Sequence, residues 1–289
     1  MDLQGKRVVI FGGKTGLLGQ SLTKALTSTG AKVYPLSSKD CDLLEPVEVE
    51  KLLNRRDPDL IINAVAYTAV DLAEDEEEAA FALNATAPQL LAAEAIRRGI
   101  PFVHYSTDFV FKGDSETPYT VYDETGAFSV YGISKAEGER NLLALGYEKT
   151  LIIRISWLFG PGKINFVEKI LSLAEERDTL SVVDDQTGSP SYAPDVATNT
   201  VKLLEHDATG IYHLANSGDT TWYGLASAAV ALTNIDCDVQ PVPSSAYPTK
   251  ATRPRYSVLD LGRFTQATGE TPRHWKEALE EYVKKELKK

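Results

Sequence analysis

Tyr131 and Lys135 stand four residues apart in Tyr131-Gly132-Ile133-Ser134-Lys135, and Ala136, Glu137, Glu139, Leu142 and Leu143 continue the spacing of a helix. Residues four apart on a helix share a face, so the phenol and the ammonium point the same way. An unperturbed Tyr titrates at about 10. A nearby positive charge favours the phenolate and draws that value toward neutrality, where the phenol becomes a useful acid. The spacing alone also describes a solvated surface pair, so the elements that would position it have to decide.

The run Pro101-Phe102-Val103-His104-Tyr105 reads as a strand that delivers Ser106-Thr107-Asp108 at its carboxyl end, where chemistry sits in a doubly wound sheet. A 22-residue excursion from Phe109 to Val130 then leads to Tyr131, and a loop of that length points to function. At the start of the chain, the apolar strand Arg7–Phe11 meets Gly12-Gly13-Lys14-Thr15-Gly16-Leu17-Leu18-Gly19, followed by helical spacing at Leu22, Ala25 and Leu26. Glycines at 13, 16 and 19 allow a tight turn and let a pyrophosphate approach the backbone N–H groups of a helix start. This predicts a dinucleotide site. The next strand, Ala31–Leu36, ends in Ser37-Ser38-Lys39, which suits a 2′-phosphate and hence NADP(H). Asp40 and Asp42 stand close enough to leave NADH open, and an ordinary polar turn is the competing reading. Asp59–Asn63 is a third strand, after which small residues at Ala64, Ala66 and Ala69 let the chain pass close under a flat ring. The acidic run Glu74–Glu78 reads as the solvated first turn of a helix, complementing its dipole.

After a fifth strand, Thr150–Ser156, the alternation loosens. Leu180–Asp185 reads as a strand, Gly188–Tyr192 as a loop, Asp195–Glu205 as a helix and Gly210–Leu214 as a strand. The expectation is an α/β fold: a doubly wound parallel sheet over 1–158 plus about 191–214, with a smaller, discontinuous α/β substrate-binding part in about 159–190 and 215–289. The segment Pro241–Pro254 is expected to cross the face of that second part.

Composition excludes several classes. A net charge of −11 argues against a nucleic-acid partner. The basic end Lys284, Lys285, Lys288 and Lys289 is balanced by Glu280, Glu281 and Glu286, with Glu280–Lys284 and Glu281–Lys285 spaced as pairs on a solvated helix. Two cysteines, Cys41 and Cys237, make no disulfide framework. With no signal-like start and no apolar run of membrane-spanning length, the expectation is a cytoplasmic protein without a membrane partner. The four histidines and two cysteines show no ligand spacing, so no metal site is predicted. Asn84-Ala85-Thr86 matches a glycosylation acceptor but has no meaning inside the cell.

Gly13, Gly16 and Gly19, then Ser106-Thr107-Asp108, then Tyr131 and Lys135, in this order and spacing, resemble the extended short-chain dehydrogenase/reductase family. The likeness is narrower than that. Asn63–Asp71, His104–Phe111, Ser156-Trp157, Asn165-Phe166, Asp185–Gly188, Thr221–Tyr223 and Ala246–Thr249 resemble the branch acting on 4-keto sugar nucleotides, and they cover nearly the whole chain. The resemblance implies a Rossmann fold and hydride transfer from NADPH, with NADH as the alternative, to the C4 ketone of dTDP-4-dehydro-L-rhamnose. It implies Tyr131 as the acid, Lys135 as the cation that lowers its pKa and bonds the nicotinamide ribose, and Thr107 as the donor that aligns the ketone oxygen. Carried over as coenzyme positions are Gly13, Gly16, Leu17, Leu18, Gly19, Ser37, Asp42, Leu43, Ala64, Ala66, Tyr67, Thr68, Tyr105, Tyr131 and Lys135. The dTDP-sugar falls to Thr107, Asp108, Val70, Trp157 and Arg253. Trp157 is either a wall for sugar or base or a core residue; Arg253 either clamps the diphosphate through its planar fork or lies idle on the surface.

The chain also departs from the pattern. Phe128-Ser129-Val130 replaces the Pro and Asn that often precede the Tyr, Leu17-Leu18 replaces a Gln-containing turn, and Phe109 stands where a Tyr is common. Phe109 removes a hydroxyl from the sugar site and leaves the exact 6-deoxy-4-hexulose open. Two rivals share the fold. A dehydratase or epimerase is disfavoured because Phe109, not Glu, follows Asp108. A non-catalytic regulatory subunit like that of methionine adenosyltransferase is disfavoured by the intact Thr107, Tyr131 and Lys135. A homodimer and a Mg²⁺ requirement are left open.

Overall fold

The computed structural model describes residues 1–288, so Lys289 of the basic end lies outside the described residues. In chain order the first half runs β1 (Arg7–Phe11), α1 (Leu17–Ser28), β2 (Lys32–Leu36), α2 (Pro46–Arg56), β3 (Leu60–Asn63), α3 (Val70–Ala73), α4 (Glu77–Phe81), α5 (Ala87–Arg98), β4 (Phe102–Thr107), α6 (Val130–Ala144) and β5 (Thr150–Ile155). The second half runs β6 (Leu158–Phe159), α7 (Phe166–Glu176), β7 (Thr179–Val183), β8 (Thr187–Gly188), β9 (Ser191–Tyr192), α8 (Ala193–Glu205), β10 (Gly210–His213), β11 (Thr220–Thr221), α9 (Trp222–Ala231), β12 (Asp238–Val242), α10 (Gly262–Thr268) and α11 (Trp275–Glu281).

Six strands form one parallel sheet in the order β10-β5-β4-β3-β1-β2. Successive strand residues point to opposite faces, so a strand buried on both sides must be apolar throughout. Val8 and Ile10 enter one core layer with Leu22 and Leu26 of α1 and Val196 of α8. Val9 and Phe11 enter the other, with Leu52 and Leu53 of α2 and Leu91 of α5. Each such side chain contributes roughly 1.5–3 kcal/mol by leaving water, which makes the sheet a rigid platform for the loops at its carboxyl edge. A third core layer gathers Phe159, Val167, Leu171, Leu225, Ala229, Trp275 and Tyr282 from the second half.

Helix α6 starts where Ser129 caps it, accepting from the Gly132 N–H at 3.2 Å. Its buried face, Gly132, Ser134, Lys135, Gly138, Glu139 and Leu142, is mostly not apolar. A Cβ on Gly138 would come within 2.1 Å of the Asn84 carbonyl, so only glycine lets α6 lie against the wide helical turn at Ala82–Thr86.

Several expectations need correcting. The segment Gly188–Tyr192 holds the end of β8 and the whole of β9, not only loop. Pro241 belongs to β12, paired with β7, so the crossing segment starts later. The terminal helix is not simply solvated: Trp275, Ala278, Leu279, Tyr282 and Val283 are buried. Glu280 meets Lys284 at 2.6 Å, but Glu281 turns inward to Arg273 at 2.7 Å instead of pairing with Lys285. The acidic run is also partly committed: Glu74 accepts from the Val130 N–H and Glu76 from the Tyr67 hydroxyl. Among the described residues no helix is long and apolar enough to cross a membrane.

Candidate active site

Where β1 ends, the chain turns at Gly12 with φ +84°, in the left-handed region that disfavours a side chain. Cβ atoms on Gly16 and Gly19 would lie 2.8 and 2.1 Å from the Gly12 carbonyl oxygen, so the turn closes only with glycine at these positions. Gly12, which the spacing of the motif leaves without a role, is therefore its pivot. No side chain caps α1 and no acid stands in its first turn, so the N–H groups at Leu17 and Leu18 face the loop with the positive end of the helix dipole.

Beyond β2, Lys14 reaches Asp40 at 2.6 Å, and Asp40 also accepts from the Ser37 N–H at 2.8 Å and its hydroxyl at 2.7 Å. Ser37 is thus present but engaged. Asp42 turns its carboxylate to the Leu44 N–H, and the Leu43 side chain lies in the core, leaving backbone atoms as its offer to a ligand. Ala64 packs its carbonyl against Gly12, while Tyr67 is locked by Asn84, which bonds its N–H and carbonyl and also donates to Ser134. Ala66 and Thr68 flank Tyr67, and Val70 opens α3.

The end of β4 carries the densest chemistry. Thr107 is buried; its hydroxyl donates to Asp108 Oδ1 at 2.9 Å and accepts from the Phe109 N–H at 3.2 Å. Asp108 Oδ2 has no hydrogen-bond partner among the described residues. Burial pushes the Asp108 carboxyl up to about 6, against nearby Ser257 and Thr107, which lower it. Phe109 meets the Tyr131 ring edge-to-face, centroids 5.5 Å apart. Tyr131 keeps some surface open to solvent, yet the protein around it pushes its phenol up to about 12; the Thr107 hydroxyl lowers it and the Asp108 charge raises it.

Lys135, 1% exposed, directs Nζ to the Tyr105 carbonyl at 2.5 Å and lies 3.2 Å from His104 Nε2. Burial brings its pKa down to about 8, opposed by Glu139. The expectation that Lys135 draws the phenol down is therefore corrected for the protein alone: desolvation dominates both groups. Tyr105 contributes its carbonyl, since its hydroxyl bonds Thr200 on the other face of the sheet.

Phe109 also borders a cleft of about 700 Å³ whose lining includes Trp157, Trp222, Gln186, Tyr247 and Arg253. Trp157, at φ +44°, stacks on Trp222 with centroids 3.7 Å apart. Arg253 makes two bonds to Asp71, at 3.1 and 2.6 Å. The cleft is thus lined by Phe109, Trp157 and Arg253, and Phe109 joins it to Thr107, whose hydroxyl its N–H meets, and to Tyr131, whose ring it touches. Sequence reasoning assigns no role to Trp222, Gln186 and Tyr247, although they stand in matching segments, and none to Asn63, His104 and Asn84; their side-chain partners lie too far away in sequence to signal one. No group of three or more His, Cys, Asp or Glu side chains is placed to hold a metal among the described residues.

A family model described as the RmlD substrate binding domain matches residues 6–288. A dTDP-4-dehydrorhamnose reductase of Aggregatibacter actinomycetemcomitans is 40% identical over 285 residues, 94% of this chain and 96% of the relative. A dTDP-4-keto-6-deoxy-D-glucose reductase of Streptomyces niveus is 37% identical over 269 residues, 92% and 93% of the two chains. The solved structure of the dTDP-4-dehydrorhamnose reductase of Bacillus anthracis str. Ames in complex with NADP superposes with a TM-score of 0.93 at 32% identity, covering 97% of this chain and 99% of that one.

Proposed function

The chain belongs to the RmlD substrate-binding-domain family, and from that membership we propose that it reduces the C4 ketone of dTDP-4-dehydro-L-rhamnose, giving dTDP-L-rhamnose. The observation that carries this reading is Phe109, which touches the ring of the acid Tyr131 on one side and lines the cleft on the other. A sugar seated there brings its ketone to the phenol.

The glycine turn fits a dinucleotide: its close packing leaves no side chain between the open start of α1 and a pyrophosphate. Lys14 and Ser37, which share the Asp40 carboxylate here, would hold a 2′-phosphate in its place, which supports NADPH. When bound, this coenzyme supplies the hydride for C4. Tyr131 transfers its O–H proton to the ketone oxygen, so the carbonyl gains one hydride and one proton and becomes an alcohol. Thr107 has a single proton, held by Asp108 here, and turns it to the same oxygen as charge develops. Lys135, one turn along α6 from Tyr131, is held by the Tyr105 carbonyl and His104. We assign the coenzyme to 1–158 plus about 191–214 and the dTDP-sugar to about 159–190 and 215–289, with Trp157 and Trp222 against a ring and Arg253 on the diphosphate. Two well-separated cysteines support a reducing compartment, the cytoplasm.

Reduction of a related dTDP-6-deoxy-4-hexulose is the second reading, favoured by Phe109 and by the Streptomyces niveus relative. Loss of 340 nm absorbance with NADPH and each keto sugar tests both. Turnover with the rhamnose precursor that falls about 10²–10⁴-fold in Tyr131→Phe supports the proposal. Coenzyme binding without turnover of either sugar overturns it.

A further inference from the structure

At Lys135, one turn along α6 from Tyr131, ends a chain of hydrogen bonds whose direction is set at its other end. The Val65 backbone N–H can only donate, and it donates to Asn63 Oδ1 at 3.0 Å. That fixes the amide, so Asn63 Nδ2 is the group 3.1 Å from His104 Nδ1, and it too can only donate. His104 Nδ1 is therefore the acceptor, and the proton of the neutral ring sits on Nε2. Nε2 faces Lys135 Nζ at 3.2 Å, with Asn63, His104 and Lys135 all buried. An ammonium has no lone pair to receive that N–H. An amine has one, and keeps two protons, of which one serves the Tyr105 carbonyl at 2.5 Å.

We propose that Asn63 and His104 are positioning residues that present an N–H to Lys135 and thereby hold it as the neutral amine in the coenzyme-free protein. The surrounding charges do not reverse this. Glu139, one turn further on α6, favours the ammonium, but its carboxylate is bound by Arg154 of β5 at 2.6 Å. Asp108, after β4, is itself pushed toward its neutral form, and Glu74, from the turn after α3, is occupied at the Val130 N–H. Against the turn at Ala82–Thr86, α6 meets the uncharged Asn84. Burial acts in the same direction as the hydrogen bond, bringing Lys135 down to about 8 and His104 well below the usual imidazole range. The cation that tunes the phenol is then one the resting site has to acquire. Only this last consequence rests on the reductase reading.

The test is NMR titration of the protein without coenzyme or substrate. With four histidines in the chain, ¹⁵N–¹H multiple-bond spectra resolve each ring's tautomer, and His104→Gln identifies the signal of His104. The Lys135 Cε signal is identified by its loss in Lys135→Arg. The expected result is a proton on Nε2 of His104 and a Lys135 midpoint below pH 7, lower than the value of about 8 that burial opposed by Glu139 sets, so that the amine is the resting form at neutral pH. In Asn63→Asp a carboxylate oxygen accepts from Nδ1–H, so the ring proton moves to Nδ1 and the Lys135 midpoint rises by about one pH unit or more. His104→Gln, which adds no charge, raises the midpoint in the same sense by offering its side-chain oxygen. A wild-type ring protonated on Nδ1 overturns the proposal even if neither variant folds, as does a wild-type lysine whose midpoint lies above pH 7, or a midpoint that stays in place in folded variants. These spectra require no turnover, so failure of the reductase reading and failure of this one are separable.

Discussion

Lys135 and Arg253, one from each half of the molecule, are held in opposite ways. Lys135 is buried among neutral partners, a carbonyl and an imidazole, on a helix that glycine and serine bring hard against its neighbours. Arg253 keeps 25% of its side chain exposed and is neutralised by a carboxylate, Asp71, that is itself 45% exposed. A buried group without a counter-charge shifts its pKa, and its position cannot vary without leaving polar atoms unpaired. An exposed ion pair is worth little and exchanges partners readily. The sheet half holds its lysine without a counter-charge, whereas the cleft half holds its arginine against an exposed one.

Four measurements bear on this contrast. The largest expected effect is Tyr131→Phe, where kcat falls about 10²–10⁴-fold while KM changes little, because in the proposed reaction the phenol acts on the reacting oxygen. A comparable loss in KM instead would erase the distinction between the halves. Next is Glu139→Gln, which strips a partner from Arg154 in a pair with each side chain 3% exposed. Breaking a buried pair costs about 3–5 kcal/mol, read as a lower denaturant midpoint at unchanged slope. A change below about 1 kcal/mol would show the platform to be far softer than its burial implies.

In the cleft, Arg253→Met should raise KM for the sugar nucleotide roughly 10–100-fold, the worth of a charge-assisted bond. Asp71→Asn should lower KM several-fold by releasing the arginine. If both variants raise KM, the Asp71–Arg253 contact is part of the bound state rather than a placeholder. The smallest effect concerns Asp108, whose carboxyl is raised to about 6 by burial. A raised carboxyl favours the neutral form in the fold, so its stabilising contribution is complete below the unfolded value near 4 and is lost as pH rises through about 6. Asp108→Asn should therefore be more stable than wild type at pH 7, and that gain should shrink as the pH falls toward 4. A gain that is the same at both pH values would assign it to packing.

Much of this was legible in the residues themselves. The glycine turn, the Thr after β4 and the Tyr and Lys one turn apart are all local patterns, since backbone geometry alone relates residues within a strand, a turn or a helix to one another. Among the early strands, β1, β3 and β5 are mostly apolar runs because both faces are covered, whereas β2, at the sheet edge, buries only Leu36. Legibility failed where partners are distant. Arg253 is 182 residues from Asp71, and Lys135 meets His104 across 31 and through it Asn63. On α6 the helix itself was legible but its buried face was not, because that face carries Lys135 and Glu139 and gives no apolar stripe to read. The sequence by itself determined which groups are present and which of them are neighbours along an element. Only the tertiary structure decided how much water each keeps and which way each hydrogen bond runs, because desolvation and donor direction depend on segments that the chain brings together from far apart.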